Sequence, residues 1–254
     1  MATFAVHPAL ASRVAGIEVV TSRGQQLVLP STSAVLGVQL RGRVRAGAAL
    51  LSTAGVTGIQ DSAREYVYVG ATDSILVRFT AQGAACLGVP VSELTQRSLA
   101  LDKLLPPVIV RRAQEKLHDR DDVAARVAVV QSLLLQLPFV EDRLVTRALG
   151  ALDGRQLATL DGAPLADAGV AAVARALGLG ERQLERRFLA RVGVTPKAWA
   201  TLRRFERAVT LARALPTTPL TNVALDAGYY DQSHFIRDVR RRAGQPPSRL
   251  FRRA

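Results

Sequence analysis

The stretch Val170-Ala-Ala-Val-Ala-Arg-Ala-Leu-Gly178-Leu-Gly180, running into Glu181-Arg-Gln-Leu-Glu-Arg-Arg-Phe188-Leu-Ala-Arg-Val-Gly193, has the plan of two short helices joined by a tight turn. Val173, Leu177, Leu184 and Phe188 recur at helical spacing on one face, and the small Ala174 lets the helices approach closely. Gly178 supplies the positive φ that such a turn demands. The second helix is left with Arg182, Glu185 and Arg186 on the face opposite Leu184 and Phe188, so one side packs and the other reads a surface. About 50 residues on, the plan repeats in Thr221-Asn-Val-Ala-Leu-Asp-Ala-Gly228-Tyr-Tyr230 and Asp231-Gln-Ser-His-Phe235-Ile-Arg-Asp-Val239-Arg-Arg-Arg-Ala-Gly244. Ala224 precedes Gly228 as Ala174 precedes Gly178, Asp231 stands at a helix start, and Phe235 with Val239 makes the inward i, i+4 pair. Between the units, Pro196 opens a helix lined on one side by Trp199, Leu202, Phe205 and Val209 to about Leu215, long enough to fix their separation.

Upstream the texture differs. From Ile17 to about Phe79 the pattern has period two in short segments, with residues 25–29, 34–41 and 74–79 β-prone and Gly, Ser and Thr in the gaps. This predicts a small β-rich domain, a barrel or a sandwich. Gly88-Val-Pro90 breaks the chain, residues 91–105 read as one or two short helices with a loop, and Pro106-Pro107 restarts it. Residues 108–117 and 121–137 show helical periodicity, with Asp121 and Asp122 placed to cap the second helix and complement its dipole. Leu133-Leu-Leu135 and Leu137 widen its apolar stripe, read as core rather than a partner site. Residues 141–152 form another helix, ended by Asp153-Gly154. The fold class is therefore α+β: a β-rich N-terminal sensing or dimerisation domain over 1–105, a helical connector over 106–160, and an all-α domain of two helix-turn-helix units over 161–254.

The 254 residues, 48% hydrophobic and 22% charged, have the composition of a folded chain with more than one core. Lys plus Arg number 34 against 21 Asp plus Glu. Residues 1–149 carry 16 basic and 12 acidic side chains, whereas residues 150–254 carry 18 and 9, so the smaller part holds most of the excess. Such a surface suits nucleic acid, a membrane surface or an acidic protein, and the arginine bias suits phosphate and guanine edges. Cys86 is the single cysteine, which excludes an intramolecular disulfide and a multi-cysteine zinc site. The first ten residues lack a basic segment followed by an apolar one, and no run of about 18 apolar residues appears, so neither secretion nor membrane insertion is expected.

Pro196-Lys-Ala-Trp199, Arg204-Phe205 and Ala208, Gly228-Tyr-Tyr-Asp-Gln-Ser-His-Phe235 with Arg237, and Gly244-Gln-Pro-Pro247 together resemble the signature of the AraC/XylS family of bacterial transcription regulators, over about 90 residues from Leu165 to Arg253. Arg182-Gln-Leu-Glu-Arg-Arg-Phe188 and Tyr229-Tyr-Asp-Gln resemble a subgroup with an atypical N-terminal domain, to which residues 76–90 are also similar. The resemblance implies that each recognition helix enters a major groove, the two lying roughly 34 Å apart on one face of double-stranded DNA. It makes Arg182, Glu185 and Arg186, and Gln232, Ser233, His234 and Arg237, the candidate base readers. Arg187, Arg191, Arg240, Arg241 and Arg242 are then placed for phosphates. It further implies regulation of transcription initiation, contact with RNA polymerase and a cytoplasmic, nucleoid-associated location. Val239 and Ala243 stand where the family usually has larger apolar residues, and Pro246 replaces a usual Ser or Thr, which predicts a less tightly packed second unit.

Enzymes are disfavoured: there is no Gly-rich phosphate loop, His-Glu-x-x-His or Ser nucleophile elbow. A single cysteine excludes the DNA-repair methyltransferases that fuse an AraC-like module to a four-cysteine zinc site. No catalytic residue, metal or cofactor is expected. A protein-interaction module that has lost DNA binding is countered by Arg186, Gln232 and Arg237. His7 and His118 lack neighbours at metal spacing, and Cys86 reads as a small buried hydrophobe. The N-terminal domain is open to a small-molecule effector, a partner protein or nothing. A homodimer is compatible with the sequence, although one chain already carries two recognition helices.

Overall fold

The computed structural model describes residues 1–153 and 169–251. The helix stop at Gly154, the boundary at 160/161 and the domain ends at Leu165 and Arg253 lie outside the described residues. The β-rich half is one antiparallel sheet of β1 (Ala2–Phe4), β2 (Val14–Val28), β3 (Val35–Ala46), β4 (Ala49–Leu50), β5 (Ala54–Thr57), β6 (Arg64–Phe79) and β7 (Ser98–Ala100), in the order β1-β2-β6-β3-β5-β7 with β4 on the edge of β3. Three strands run much longer than the β-prone windows. Register shifts between Ser22 and Gly24 and between Gln39 and Arg43 let them bend without losing their pairing.

Alternation gives the sheet two different faces. Ile17, Leu36, Val38, Ile75, Val77 and Phe79 point into one core with Leu10 and the 3-10 turns at Gly83–Leu87, Val91–Glu93 and Leu101–Lys103. Their neighbours Glu18, Gly37, Ser74, Leu76 and Arg78 face a cavity of about 380 Å³ on the other side. The strand β7 lies inside the segment expected to be helix and loop. Its three residues satisfy the edge of β5 by pairing Ser98 with Thr57 and Ala100 with Gly55, a long-range bond that local pattern does not carry.

The expected connector serves both halves. Helices α1 (Pro107–His118) and α2 (Val123–Leu135) bury Val110, Val127, Val130 and Leu134 against the sheet. Asp122 caps α2 by accepting the Ala125 amide at 2.8 Å. Leu133, Leu134 and Leu137 are core, as their stripe implied, while Leu135 stays exposed. In contrast α3 (Arg143–Leu152), capped by Asp142, puts Val145, Ala148 and Ala151 into a second core. That core is shared with α4 (Gly169–Ala176), α5 (Glu181–Arg191), α6 (Pro196–Ala214), α7 (Leu220–Asp226), α8 (Gln232–Ala243) and Phe251, which follows α9 (Pro247–Leu250). Trp199 and Phe205 of α6 sit at its centre. Among the described residues no helix is long and apolar enough to cross a membrane.

Because α3 belongs to the second core, trimming its fully buried Val145 should weaken that core selectively. Val145→Ala should cost about 2 kcal/mol of stability, read in urea by the fluorescence of the single tryptophan, Trp199, which lies in the same cluster. An unchanged midpoint would assign α3 elsewhere.

Candidate nucleic-acid interface

The two units are the same object at the level of the backbone. In the first, the Leu179 amide donates to the Ala174 carbonyl at 2.9 Å across Gly178, whose φ is 68°. In the second, the Tyr229 amide donates to the Ala224 carbonyl at 2.9 Å across Gly228, whose φ is 89°. A left-handed residue at a helix end closes this bond and turns the chain, and glycine holds it without a Cβ penalty. Ala174 and Ala224 are both buried. Thr195 caps α6 through the Ala198 amide, and Asp231 caps α8 by accepting the His234 amide at 2.6 Å.

Leu184 and Phe188 of α5, and Phe235 and Val239 of α8, are fully buried. This leaves Arg182, Glu185 and Arg186 exposed together on α5, and Gln232, Ser233 and Arg237 exposed on α8. Gln232 also accepts a hydrogen bond from the Thr221 hydroxyl of α7 at 3.2 Å. His234 is half-buried, its ring edge-on to Tyr229 at 5.2 Å, so it packs within the unit as well as facing outward. Of the residues expected at phosphates, Arg240 and Arg241 are exposed and Arg191 is half-buried. Tyr230, not singled out from the sequence, stands 89% exposed immediately before the Asp231 cap.

Two arginines are placed otherwise than expected. Arg242 is 3% exposed and points inward. Its Nε donates to Asp238 at 3.0 Å, its Nη1 to the Asp61 carbonyl of the N-terminal half at 3.2 Å, and its guanidinium lies 5.8 Å from the Phe205 ring centre. A phosphate contact would strip Asp238 of its partner inside the protein, so Arg242 is corrected from a phosphate contact to a structural cation. Arg187 is half-buried, with Nη1 on Asp142 at 2.6 Å. Its head is held at the α3 cap, which likewise removes it from the phosphate set in this conformation.

At the two small residues of the second unit that led to the expectation of looser packing, solvent is excluded: Val239 is fully buried and Ala243 nearly so. Tyr229 donates its hydroxyl to Asp238 Oδ2 at 2.8 Å, and Arg241 adds a second ion pair at 2.8 Å. Burial raises the Asp238 carboxyl, but the hydrogen bonds of Arg241 and Tyr229 and the charge of Arg242 outweigh it and hold the group below the usual carboxylate range. Burial and the nearby Asp238 charge push the Tyr229 phenol far above its ordinary value. Asp142 follows the same logic as Asp238: burial raises it, and the Arg187 bond with the Val145 and Leu144 amides brings it below normal.

Residues 173–253 match the family model described as a helix-turn-helix domain. Among solved structures the chain is similar to ToxT from Vibrio cholerae: an apo form at 10% identity and a TM-score of 0.47, covering 94% of this chain and 97% of that one. A ToxT structure bound to (E)-4-(8-methylnaphthalen-1-yl)but-3-enoic acid matches at 10% identity and a TM-score of 0.48, covering 92% and 97%. One of unsaturated fatty acid bound wild-type ToxT matches at 10% and 0.47, covering 92% and 94%. No curated protein sequence matches the chain.

Asp238 and Asp142 bind protons less readily folded than unfolded, so the stability they add is complete above the unfolded value near 4 and is lost as pH falls through the lowered folded value. Urea stability should therefore stay level between about pH 7 and 5 and drop below about pH 4. Asp238→Asn should be less stable at neutral pH and show a shallower acid decline. An acid decline as steep as the unaltered protein's would remove Asp238 as its source.

Proposed function

We propose that this chain, a DNA-binding transcription regulator by the AraC/XylS-type helix-turn-helix domain at residues 173–253, reads a specific promoter sequence with α5 and α8 together and alters initiation there. The observation that carries this reading is the pairing of two exposed polar faces, one per unit, on helices that share a single hydrophobic core. Rigid joining through α6 lets two helices address successive major grooves without a second chain. In this reading Arg182, Arg186 and Arg237 take guanine O6 and N7, Gln232 takes adenine, and Glu185 accepts from cytosine N4. Ser233 and the outward edge of His234 complete the base set. Arg191, Arg240 and Arg241 anchor phosphates and set the salt dependence. The regulator acts in the cytoplasm at the nucleoid and contacts RNA polymerase there.

Control by a small-molecule effector has a place in the N-terminal half. The cavity on the open face of the sheet falls in the volume range of small-molecule sites. Its wall combines apolar Val20, Val35 and Leu76 with the polar groups of Tyr66, Tyr68 and Arg64. A homodimer through the N-terminal half would add a second pair of units to the same site, and is an extension of this reading rather than a requirement of it.

Selection of bound duplexes from a random pool tests the reading. The unaltered chain should recover a motif with two half-sites about ten base pairs apart. Arg186→Ala and Arg237→Ala should each cost about 1–3 kcal/mol at that motif and little elsewhere. Arg240→Gln should lower the slope of log affinity against log salt by about 1, whereas Arg242→Gln should leave the slope unchanged while lowering stability. A chain that enriches nothing above competitor DNA is not a sequence-specific regulator on its own.

A further inference from the structure

Matched residue by residue, the two units keep one offset up to the turn and another after it. Ala174 and Gly178 of the first correspond to Ala224 and Gly228 of the second, 50 residues on. From the helix caps onward the offset is 51. Gly180 caps α5 as Asp231 caps α8. The buried Leu184, Phe188 and Val192 then match the buried Phe235, Val239 and Ala243. Gly193 and Gly244, at φ of 94° and 70°, follow the two helices, and Pro196 and Pro247 open the next ones. The residue that makes the difference is Tyr230, inserted between turn and cap and directed at solvent.

The caps fix where each helix begins, so they decide which side chains hold equivalent places on α5 and α8. On that register Arg186 corresponds to Arg237, Arg182 to Ser233 and Glu185 to Ile236. The first two pairs are exposed in both units. The third pair is unlike: Glu185 is exposed and acidic, whereas Ile236 is half-buried and apolar. Among the described residues Ile236 is packed into neither hydrophobic core, although Phe235 beside it is fully buried in the second. Ser233 one turn before it and Arg240 one turn after it lie on the same side of α8, and both are exposed. A branched apolar side chain thus stands among the polar groups of that face, where the core makes no use of it.

Of the groups that base pairs present in the major groove, the thymine 5-methyl is the apolar one, and cytosine presents an N4 donor in its place on the pyrimidine edge. A carboxylate suits the donor, and an isoleucine suits the methyl. We propose that Ile236 reads a thymine methyl in the half-site where Arg237 takes guanine, so that the two units address a pyrimidine from equivalent places by opposite chemistry. This inference rests on the DNA reading above and adds one base to it.

The duplex recovered by the unaltered chain supplies the probe. Replacing its thymines one at a time by deoxyuridine removes a methyl and leaves every hydrogen bond of the base pair in place. One such replacement, in the half-site whose guanine preference is lost in Arg237→Ala, should weaken binding about fourfold, as expected for one buried methyl-sized group. In Ile236→Ala the same replacement should change Kd by less than about 1.5-fold, because the partner of the methyl is gone. Ile236→Glu, which gives the second unit the side chain of the first at this place, should move the preference at that base pair from thymine to cytosine. Urea midpoints read by Trp199 fluorescence should show both variants folded, and the deoxyuridine series on the unaltered chain needs no variant. If no thymine of that half-site responds to loss of its methyl, or the response is equal in the unaltered chain and Ile236→Ala, the assignment of Ile236 is overturned while the DNA reading stands. If the unaltered chain selects no motif, the DNA reading fails and the assignment with it.

Discussion

A guanidinium buried at the end of α8 is a constraint on everything around it. Arg242, 3% exposed, requires a matched charge, and Asp238 one turn earlier supplies it. Removing one member of such a pair typically costs about 3–5 kcal/mol, because the other charge is then buried alone. The pair also needs its remaining hydrogen-bonding capacity filled, and this determines its neighbours: the Tyr229 hydroxyl on Asp238, the Phe205 ring beside the guanidinium, and the carbonyl of Asp61 from the other half of the chain. The second unit, the spacer helix and the N-terminal half are thus tied to one ion pair. Its net contribution to stability need not be large for its effect on geometry to be strong, since an ion pair in a dry site tolerates few arrangements.

The same ion pair separates two uses of arginine on α8. Arg237, Arg240 and Arg241 leave the helix on its exposed side, and Arg242 alone turns inward. Arg241 is intermediate, since its side chain is half exposed while bonded to Asp238. A run of three arginines is therefore not a uniform charged surface. On α5 the division is similar: Arg182 and Arg186 are exposed, while Arg187 is drawn to the Asp142 cap of α3. In each unit one arginine of the second helix joins it to the rest of the protein, while Arg182 and Arg186 on α5 and Arg237 and Arg240 on α8 stay exposed.

The C-terminal half was legible in the sequence because its determinants are local. Gly178 and Gly228, the alanines before them, the cap at Asp231 and the i, i+4 apolar pairs all act within one or two helical turns. The β-rich half was legible only as a class. The lengths of β2, β3 and β6 depend on one another's edges, and β7 exists because β5 has an edge to fill. The direction of Arg242 was hidden for a related reason. Its spacing from Asp238 permits an i, i+4 pair on an exposed face as readily as a buried one, and only Phe205, Tyr229 and the Asp61 loop, far apart in sequence, decide between them. The split of the expected connector is a third case: the amphipathic stripe of α3 announces a buried face, and nothing within α3 says which core receives it.

The two cores differ in what they leave for function. The second draws aromatic and aliphatic side chains from six helices, with Ile59 of the N-terminal half packed among them. The sheet has only one closed face, and the other is open to the cavity. A closely packed body transmits a displacement at its edge with little loss, while the wall of an open cavity is where a small displacement is easiest to produce. The contacts between the halves lie where these two properties meet. Arg64, Ser98 and Thr57 belong to the segments around the cavity, and Gly193, Glu206 and Arg242 to those of the second core. The left-handed backbone of Gln96 and the inward turn of Arg242 both fall at this junction, where each is held by bonds from segments distant in sequence.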